Sequence, residues 1–482
     1  MAALMIQGCG SDVGKSVLVA GLCRLFTNRG LSVRPFKPQN MSNNAAVTMD
    51  GGEIGRAQAL QAMACRVPAT VEMNPVLLKP QSDVGAQVII RGQRIGTRDA
   101  ATYQRAKGEH LAVVLESYRR LQAESDLVIV EGAGSPAETN LRANDIANMG
   151  FARAADVPVV LVGDIDRGHV IAALVGAHTV LDPEDRAMIH GFIINKFRGD
   201  PALFTDGCTE IVRRTGWRDC GMVPWLSAVR RLPAEDAVVL GQGGRTSAGG
   251  INVAVLLLPH IANFDEFDAL RNDPNVAFSY VTPGSAVPGN VDLLIVPGTK
   301  TTLSDLAFLR QQGWDVDIAA HIRRGGRVLG VCGGFQMLGR RIADPDGIEG
   351  APGSADGLGY LDAETTLTDD KVLRPVRGQL ADSNAEFEGY EMHVGRTEGP
   401  ARARPFARLG DHADGAVTAD KKVAGTYVHG ILASATARAA ILGTALQPDD
   451  HAVLVDTLLD EIAQTLDGCL DIAALAEIAR LS

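Results

Sequence analysis

The chain has 482 residues, room for two or three ordinary domains, and its formal net charge of −11 makes a nucleic acid or an anionic membrane surface a poor partner. Hydrophobic residues at 46% with only 5% aromatics, together with 53 glycines, suit mostly aliphatic layers joined by many tight strand-to-helix turns. Seven scattered cysteines without a CxxC pair argue against a disulfide framework and structural zinc and fit a reducing cytoplasm.

The first ten residues lack the basic and cleavable segments of a signal peptide, and no apolar run approaches the roughly 18 residues of a membrane span. A soluble intracellular protein is therefore expected. In chain order, Ala3–Gln7 reads as a short buried strand that enters a Gly-rich turn. Residues Lys15–Arg29 carry helical spacing (Leu18, Leu22, Leu25) and stop before Gly30. Ser32–Phe36 reads as a second strand, and helical stretches follow near Gly55–Cys65 and Ala101–Ala123. Further buried strands are expected at Leu127–Val130, Val157–Val162 and Ile189–Ile194. Strands separated by helices predict a doubly wound, mostly parallel sheet.

Residues 241–250, GQGGRTSAGG, read as a linker between a first domain at 1–240 and a second at 251–445. The second βα series starts with strands at Asn252–Leu258, Asp292–Val296 and Arg327–Val331. Apolar helical spacing from about Pro448 predicts a helical tail, residues 446–482. The fold class expected is α/β, two doubly wound domains plus that tail.

Two local patterns carry chemistry. The run Gly8-Cys9-Gly10-Ser11-Asp12-Val13-Gly14-Lys15-Ser16 joins a strand to a helix, the setting of a phosphate-binding loop. The backbone of Gly10, Asp12, Val13 and Gly14 would wrap phosphates, Lys15 would reach the outer ones and the Ser16 hydroxyl would meet Mg²⁺. The spacing is one residue longer than the common form. Glu131, at the end of a buried strand, stands where a second Mg²⁺ ligand belongs, although a plain turn also fits. Asp164, in Asp164-Ile165-Asp166-Arg167-Gly168, reads as a metal or substrate contact or as part of a solvated loop. Lys37 offers a second cation to the phosphates or is an exposed loop lysine.

In the second half, the strand Arg327–Val331 ends at Cys332, with Gly333-Gly334-Phe335-Gln336 behind it. A thiol on a sharp strand-to-helix turn is lifted clear of the sheet, and the helix N-terminus lowers its pKa. The N–H of Gly333 and that of Gly298, after the strand ending at Val296, are the oxyanion donors expected. His429, at the end of a strand over Gly425–Val428, is the base expected. Cys23, Cys65, Cys208 and Cys220 read as buried structural thiols.

These segments resemble known families. The long phosphate loop, Phe36-Lys37-Pro38 and Val130-Glu131-Gly132-Ala133-Gly134 resemble dethiobiotin synthetase and its relatives. The Cys332 and His429 segments resemble class I (triad-type) glutamine amidotransferases. Their union is similar to the cobyric acid synthase and cobyrinic acid diamide synthase group. FKPQNM, GGEIGRAQA, MNPVLLKP, EGAGSPAETN, DIDRG, INKFRGD, YEMHVGRT and GTYVHGI favour the cobyric acid synthase branch. The resemblance spans about residues 3 to 440.

It implies ATP- and glutamine-dependent amidation of adenosylcobyrinic acid a,c-diamide at four carboxylates, b, d, e and g, in cobalamin biosynthesis. Mg²⁺ would assist, and ammonia would travel along a protected path. Asn195 would contact adenine, by similarity to dethiobiotin synthetase. A homo-oligomer stays open. Many triad enzymes carry an acid two residues after the histidine; in this chain that position is Ile431, which leaves a dyad or a distant acid such as Glu391. Cys9 and His169 stand where the family has other small residues. Rival readings are an amidase for another corrinoid or a cell-wall precursor, a MinD/ParA-like ATP switch, and a scaffold with a dead glutaminase. Gly10 replaces the signature lysine of the switch, and intact Cys332 and His429 weigh against the scaffold.

Overall fold

The computed structural model describes residues 2–80, 85–233, 250–410, 412–444 and 450–481. The chain divides into two compact units: Met1–Ser42, Thr48–Leu232 and Val455–Ser482 form the first, and Asn43–Val47 with Pro233–Leu454 the second. The expected linker lies, apart from Gly250, outside the described residues.

The first unit is built on six parallel strands: β1 (Ala2–Gly8), β2 (Val33–Phe36), β3 (Leu127–Glu131), β4 (Val159–Asp164), β5 (Ile189–Phe197) and β6 (Arg218–Pro224). Their order across the sheet is β6-β5-β4-β1-β3-β2. Every residue of β1 and β3 is buried, as a parallel sheet covered on both faces requires. Helix α1 (Lys15–Asn28) follows β1, and α2 (Arg56–Ala64) packs beside it. The stretch expected to be helical over Ala101–Ala123 is broken into Ala100–Ala106, a 3₁₀ turn at Lys107–His110, and Leu111–Ala123. Gly108 lies in the break, where its low helix propensity does least harm.

A second sheet went unread in the sequence. It runs Gln39–Met41, Val76–Pro80, Gly85–Ile90, Gln93–Asp99. Its hairpin turns through Arg91 and Gly92, at φ 44° and 74°, the two-residue geometry that matches strand twist. Beside it Lys79 and Glu53 form an ion pair in which both side chains are fully buried. Removing one partner strands the other charge away from water. Lys79→Met is therefore expected to destabilise the protein by roughly 3–5 kcal/mol. A thermal melt that does not shift would refute this.

From Val455 on, the tail belongs to the first unit. His451–Cys469 and Ile472–Ile478 are its helices. The missing side chain of Gly21 on α1 admits Ile462 and Leu466, which a Cβ there would meet at 2.7 and 2.5 Å. Arg24 of α1, fully buried, pairs with Asp456.

The second unit has five parallel strands: β7 (Ile251–Leu256), β8 (Val276–Val281), β9 (Leu293–Val296), β10 (Arg327–Val331) and β11 (Val423–Thr426), ordered β8-β7-β9-β10-β11. An antiparallel edge at Ala416–Val417 follows. Two further, largely antiparallel sheets are added between β10 and the chain's return through β11. One of them changes the expected setting of His429. The strand stops at Thr426, and Val428–His429 pairs instead with Glu386–His393, Tyr390 opposite His429.

Candidate active sites

The first site lies at the C-terminal edge of β1 and β3. Lys15 is 8% exposed, and its Nζ donates to the carbonyls of Gly10 (2.9 Å) and Gly134 (3.2 Å), bridging the two loops. Asp12 and Gly14 take left-handed conformations, φ 56° and 93°, which turn the loop back on itself. The second gathering point is Glu131, 1% exposed. Oε1 accepts from Ser16 Oγ at 2.7 Å and from Lys37 Nζ at 2.8 Å. Oε2 accepts from Gln61 Nε2 at 2.6 Å and Gln58 Nε2 at 3.4 Å. Lys37 is thus buried beside the phosphate loop, not an exposed loop lysine.

Gln58 and Gln61 escaped the sequence reading. Their spacing of three on α2 puts both amides on one helix face, and that spacing was the available signal. Asp164 Oδ2 accepts from Lys196 Nζ at 2.8 Å. Asn195 Nδ2 donates to the carbonyl of Val13 at 2.7 Å, so this amide braces the phosphate loop. A hydroxyl and a carboxylate oxygen meeting beside a phosphate loop are hard donors of the kind Mg²⁺ takes.

The second site is assembled from four strand ends. Cys332 sits at φ 50°, ψ −110° between β10 and a helix at Gly333–Leu338, a strained turn that exposes the thiol. Its Sγ lies 3.6 Å from the Met392 carbonyl. The turn tolerates no added side chain. A Cβ on Gly334 would run into the Val296 carbonyl, and one on Gly333 would meet Thr299 Cγ2 at 2.7 Å. Gly298 is within the same cluster, since a Cβ there would lie 3.1 Å from His429 Cε1 and 3.6 Å from Cys332 Cβ. The structure therefore brings Cys332, His429, Gly298 and Gly333 together.

It also supplies an acid. His429 Nδ1 is 3.0 Å from Oε1 of Glu266, with both side chains buried. Burial alone would depress the imidazole, but the Glu266 carboxylate and then Cys332 outweigh it and raise the pKa to about 10. Asn263, buried and left-handed at φ 53°, brings Nδ2 to 3.5 Å from His429 Nε2. Tyr390 stacks on the imidazole at 5.3 Å. Glu391, the acid expected from the sequence, is turned elsewhere: it accepts from Arg374 Nε at 2.6 Å and lies 3.2 Å from His412 Nε2. Cys23, Cys65, Cys208 and Cys220 are buried.

Two family models match the chain. A CobQ/CobB/MinD/ParA nucleotide binding domain covers residues 4–239, and a CobB/CobQ-like glutamine amidotransferase domain covers residues 252–437. Among curated relatives, a cobyric acid synthase of Caulobacter sp. (strain K31) is 67% identical over 99% of this chain and 100% of its own length. Those of Rhizorhabdus wittichii and Rhodobacter capsulatus are 60% and 58% identical, each over 100% of this chain and 99% and 100% of their own. No helix among the described residues is long and apolar enough to cross a membrane.

Proposed function

Because the chain belongs to the cobyric acid synthase family, we propose that it amidates adenosylcobyrinic acid a,c-diamide at the b, d, e and g carboxylates, with one ATP and one glutamine for each. It is a glutamine-dependent amidotransferase with a nucleotide-binding domain. The observation that carries the reading is the presence, in one chain, of two assembled sites. One gathers Lys15, Ser16, Lys37 and Glu131; the other gathers Cys332, His429 and Glu266.

In the second unit, the Cys332 sulfur adds to the amide carbon of glutamine, and the oxyanion falls to the N–H groups of Gly298 and Gly333. His429 hands its proton to the leaving nitrogen, the C–N bond breaks and ammonia departs. Water then cleaves the thioester, giving glutamate and the free thiol. Glu266 keeps the imidazole oriented and charged.

In the first unit, a substrate carboxylate oxygen attacks the γ-phosphorus of ATP, and ADP leaves. Ammonia then attacks the acyl carbon of the acyl phosphate, and phosphate leaves. Lys15 and Lys37 place two cations where the transferred charge develops. Ser16 and Glu131 would hold Mg²⁺, which neutralises phosphate charge when bound. Asp164 is a further oxygen donor for that ion if Lys196 yields it. The cytoplasm is the compartment we assign, with small molecules as partners and no nucleic acid.

The test incubates purified protein with ATP, Mg²⁺ and glutamine, with and without the diamide, and follows corrinoid mass, glutamate and ADP. Stepwise mass loss, one step for each carboxyl converted to a primary amide, is expected. ATP and glutamine turnover with the diamide unchanged would keep the amidotransferase and remove this substrate in favour of another carboxylate.

A further inference from the structure

In the second unit, Thr299 stands between the two residues read as oxyanion donors. It follows Gly298 directly in the chain, and its Cγ2 is what a Cβ on Gly333 would meet at 2.7 Å. Thr299 is 7% exposed. Its Oγ1 donates to Asp305 Oδ2 at 2.5 Å and accepts from the Thr301 N–H at 3.2 Å. Asp305 lies in the first turn of the helix Thr302–Gln311 and is fully buried. Its carboxylate also accepts from His260, from the backbone N–H at 3.2 Å onto Oδ2 and from Nδ1 at 2.8 Å onto Oδ1.

These contacts join two segments. Residues 297–300 follow β9 and carry Gly298; residues 257–267 follow β7 and carry Glu266. The backbone repeats the join: the Ala262 N–H donates to the Gly298 carbonyl at 3.0 Å and the Lys300 N–H to the His260 carbonyl at 3.1 Å. Ile261 and Thr299 pair as an antiparallel bridge. Gly298 has little room to shift, since a Cβ there would lie 3.1 Å from His429 Cε1 and 3.6 Å from Cys332 Cβ. A buried carboxylate costs free energy unless its lone pairs are met, and apolar packing would fill the same space without that cost. All three donors to Asp305 come from the two segments that meet at His429, so the charge has a use there: it holds their junction.

We propose that Asp305 is a positioning residue of the glutaminase, which through Thr299 sets the Gly298 and Gly333 N–H groups at the spacing an oxyanion needs. It acts through Thr299 and not on the substrate. The assignment rests on the reading of those two N–H groups as oxyanion donors. Such donors are aimed at the oxygen of the tetrahedral intermediate and not at the ground-state carbonyl. A shifted turn therefore lowers kcat and leaves glutamine binding alone.

The experiment compares Asp305→Asn and Thr299→Val with the wild type, each as the full chain. In both variants kcat for glutamine hydrolysis should fall about ten- to hundredfold, short of the roughly hundred- to thousandfold loss of a whole donor, with KM for glutamine unchanged. Thr299→Ser, which keeps the hydroxyl, should recover most of kcat. Two probes of Cys332 separate the oxyanion from the thiol. With glutamate γ-semialdehyde the sulfur adds to the aldehyde carbon, the carbonyl electron pair moves to oxygen, the thiol proton passes to His429, and no leaving group departs; its affinity should fall by the same factor as kcat/KM. With iodoacetamide the sulfur displaces iodide and no oxyanion forms; that rate, read at Cys332 by peptide mass, should not change. Amidation with ammonium salts should be kept, which shows that the chain is folded; if Asp305→Asn loses it, Thr299→Val decides. Unchanged kcat in the folded variants would overturn the proposal, and so would equal losses for the aldehyde and for alkylation, which place the damage at the thiol. A wild type that binds the aldehyde no more tightly than glutamine would remove the oxyanion reading itself.

Discussion

Cys332→Ala is expected to abolish glutamine-dependent amidation, by at least about ten-thousandfold, while amidation supported by added ammonium salts continues. The reason is a division of labour. In the proposed mechanism Sγ is the group that bonds to the glutamine carbon, and its neighbours offer no replacement: His429 is occupied by Glu266, and Gly298 and Gly333 carry no side chain. In the proposed mechanism acyl phosphate formation uses Lys15, Lys37, Ser16 and Glu131, all in the first unit, and ammonia needs no activation to attack an acyl phosphate. Rates measured with each nitrogen source in one preparation check this. Loss of both activities in folded protein would contradict it.

Glu266→Gln is expected to lower glutamine hydrolysis by about a hundred- to ten-thousandfold, the range in which a neutral amide replaces an orienting acid. The amide keeps the size of the side chain, and its oxygen still accepts from Nδ1. The charge is gone, so the proton on His429, held by the carboxylate to a pKa of about 10, is released at lower pH. In the proposed mechanism the imidazolium is the acid that protonates the departing nitrogen, so its loss sets the alkaline limb of the rate profile. That limb should move to lower pH in the variant. Glu266→Asp, which keeps the charge and shortens the reach, should hold the limb and lose less rate. Glu391→Gln, whose carboxylate faces Arg374 and His412, should leave the limb in place. An unchanged pH profile in Glu266→Gln would make the contact structural only.

Why Glu266 escaped the sequence reading is physical. In the usual pattern the acid follows the histidine on one backbone, so two residues fix its distance. In this chain Ile431 occupies that position and is buried, and the acid arrives 163 residues upstream, from the segment after β7. Only the packing of that segment against the Gly298–Lys300 turn and the Ile431–Ala433 turn brings it near. The run Ile261-Ala262-Asn263-Phe264-Asp265-Glu266-Phe267, polar residues set between four buried apolar ones after a buried strand, was the signal on offer. Cys332 was legible because its context is local: a buried strand, a nucleophile, then two small residues that open a helix.

The same contrast holds for the fold. The parallel strands β1, β3, β4 and β5 carry continuous apolar runs, Ala2–Ile6, Leu127–Val130, Val159–Val162 and Phe192–Ile194, whose burial needs no knowledge of a partner. Several strands of the antiparallel additions were illegible because they bury little. Val372–Leu380 buries only its last residue, and Gln93–Asp99 none. Their order comes from ladder hydrogen bonds and a left-handed turn at Arg91-Gly92, not from a hydrophobic pattern. The tail read correctly as helical, but its place in the first unit depends on the space that Gly21 leaves for Ile462 and Leu466, a contact across more than four hundred residues. The Gly-rich turn joins β1 to α1 where the sequence puts it, while the amides of Gln58 and Gln61 were missed because glutamine on a helix is ordinary surface composition.

The central claim is that one carboxylate oxygen of the corrinoid leaves as phosphate, because the first unit activates the acid before nitrogen arrives. The most direct measurement follows that atom. Diamide prepared with heavy-oxygen-labelled carboxylates is converted with ATP, Mg²⁺ and glutamine, and the inorganic phosphate is isolated and weighed by mass spectrometry. One labelled oxygen in phosphate for each amide formed is the predicted result. Unlabelled phosphate alongside normal amide formation would contradict activation through an acyl phosphate, and with it the roles of Lys15, Lys37 and Glu131 in that step.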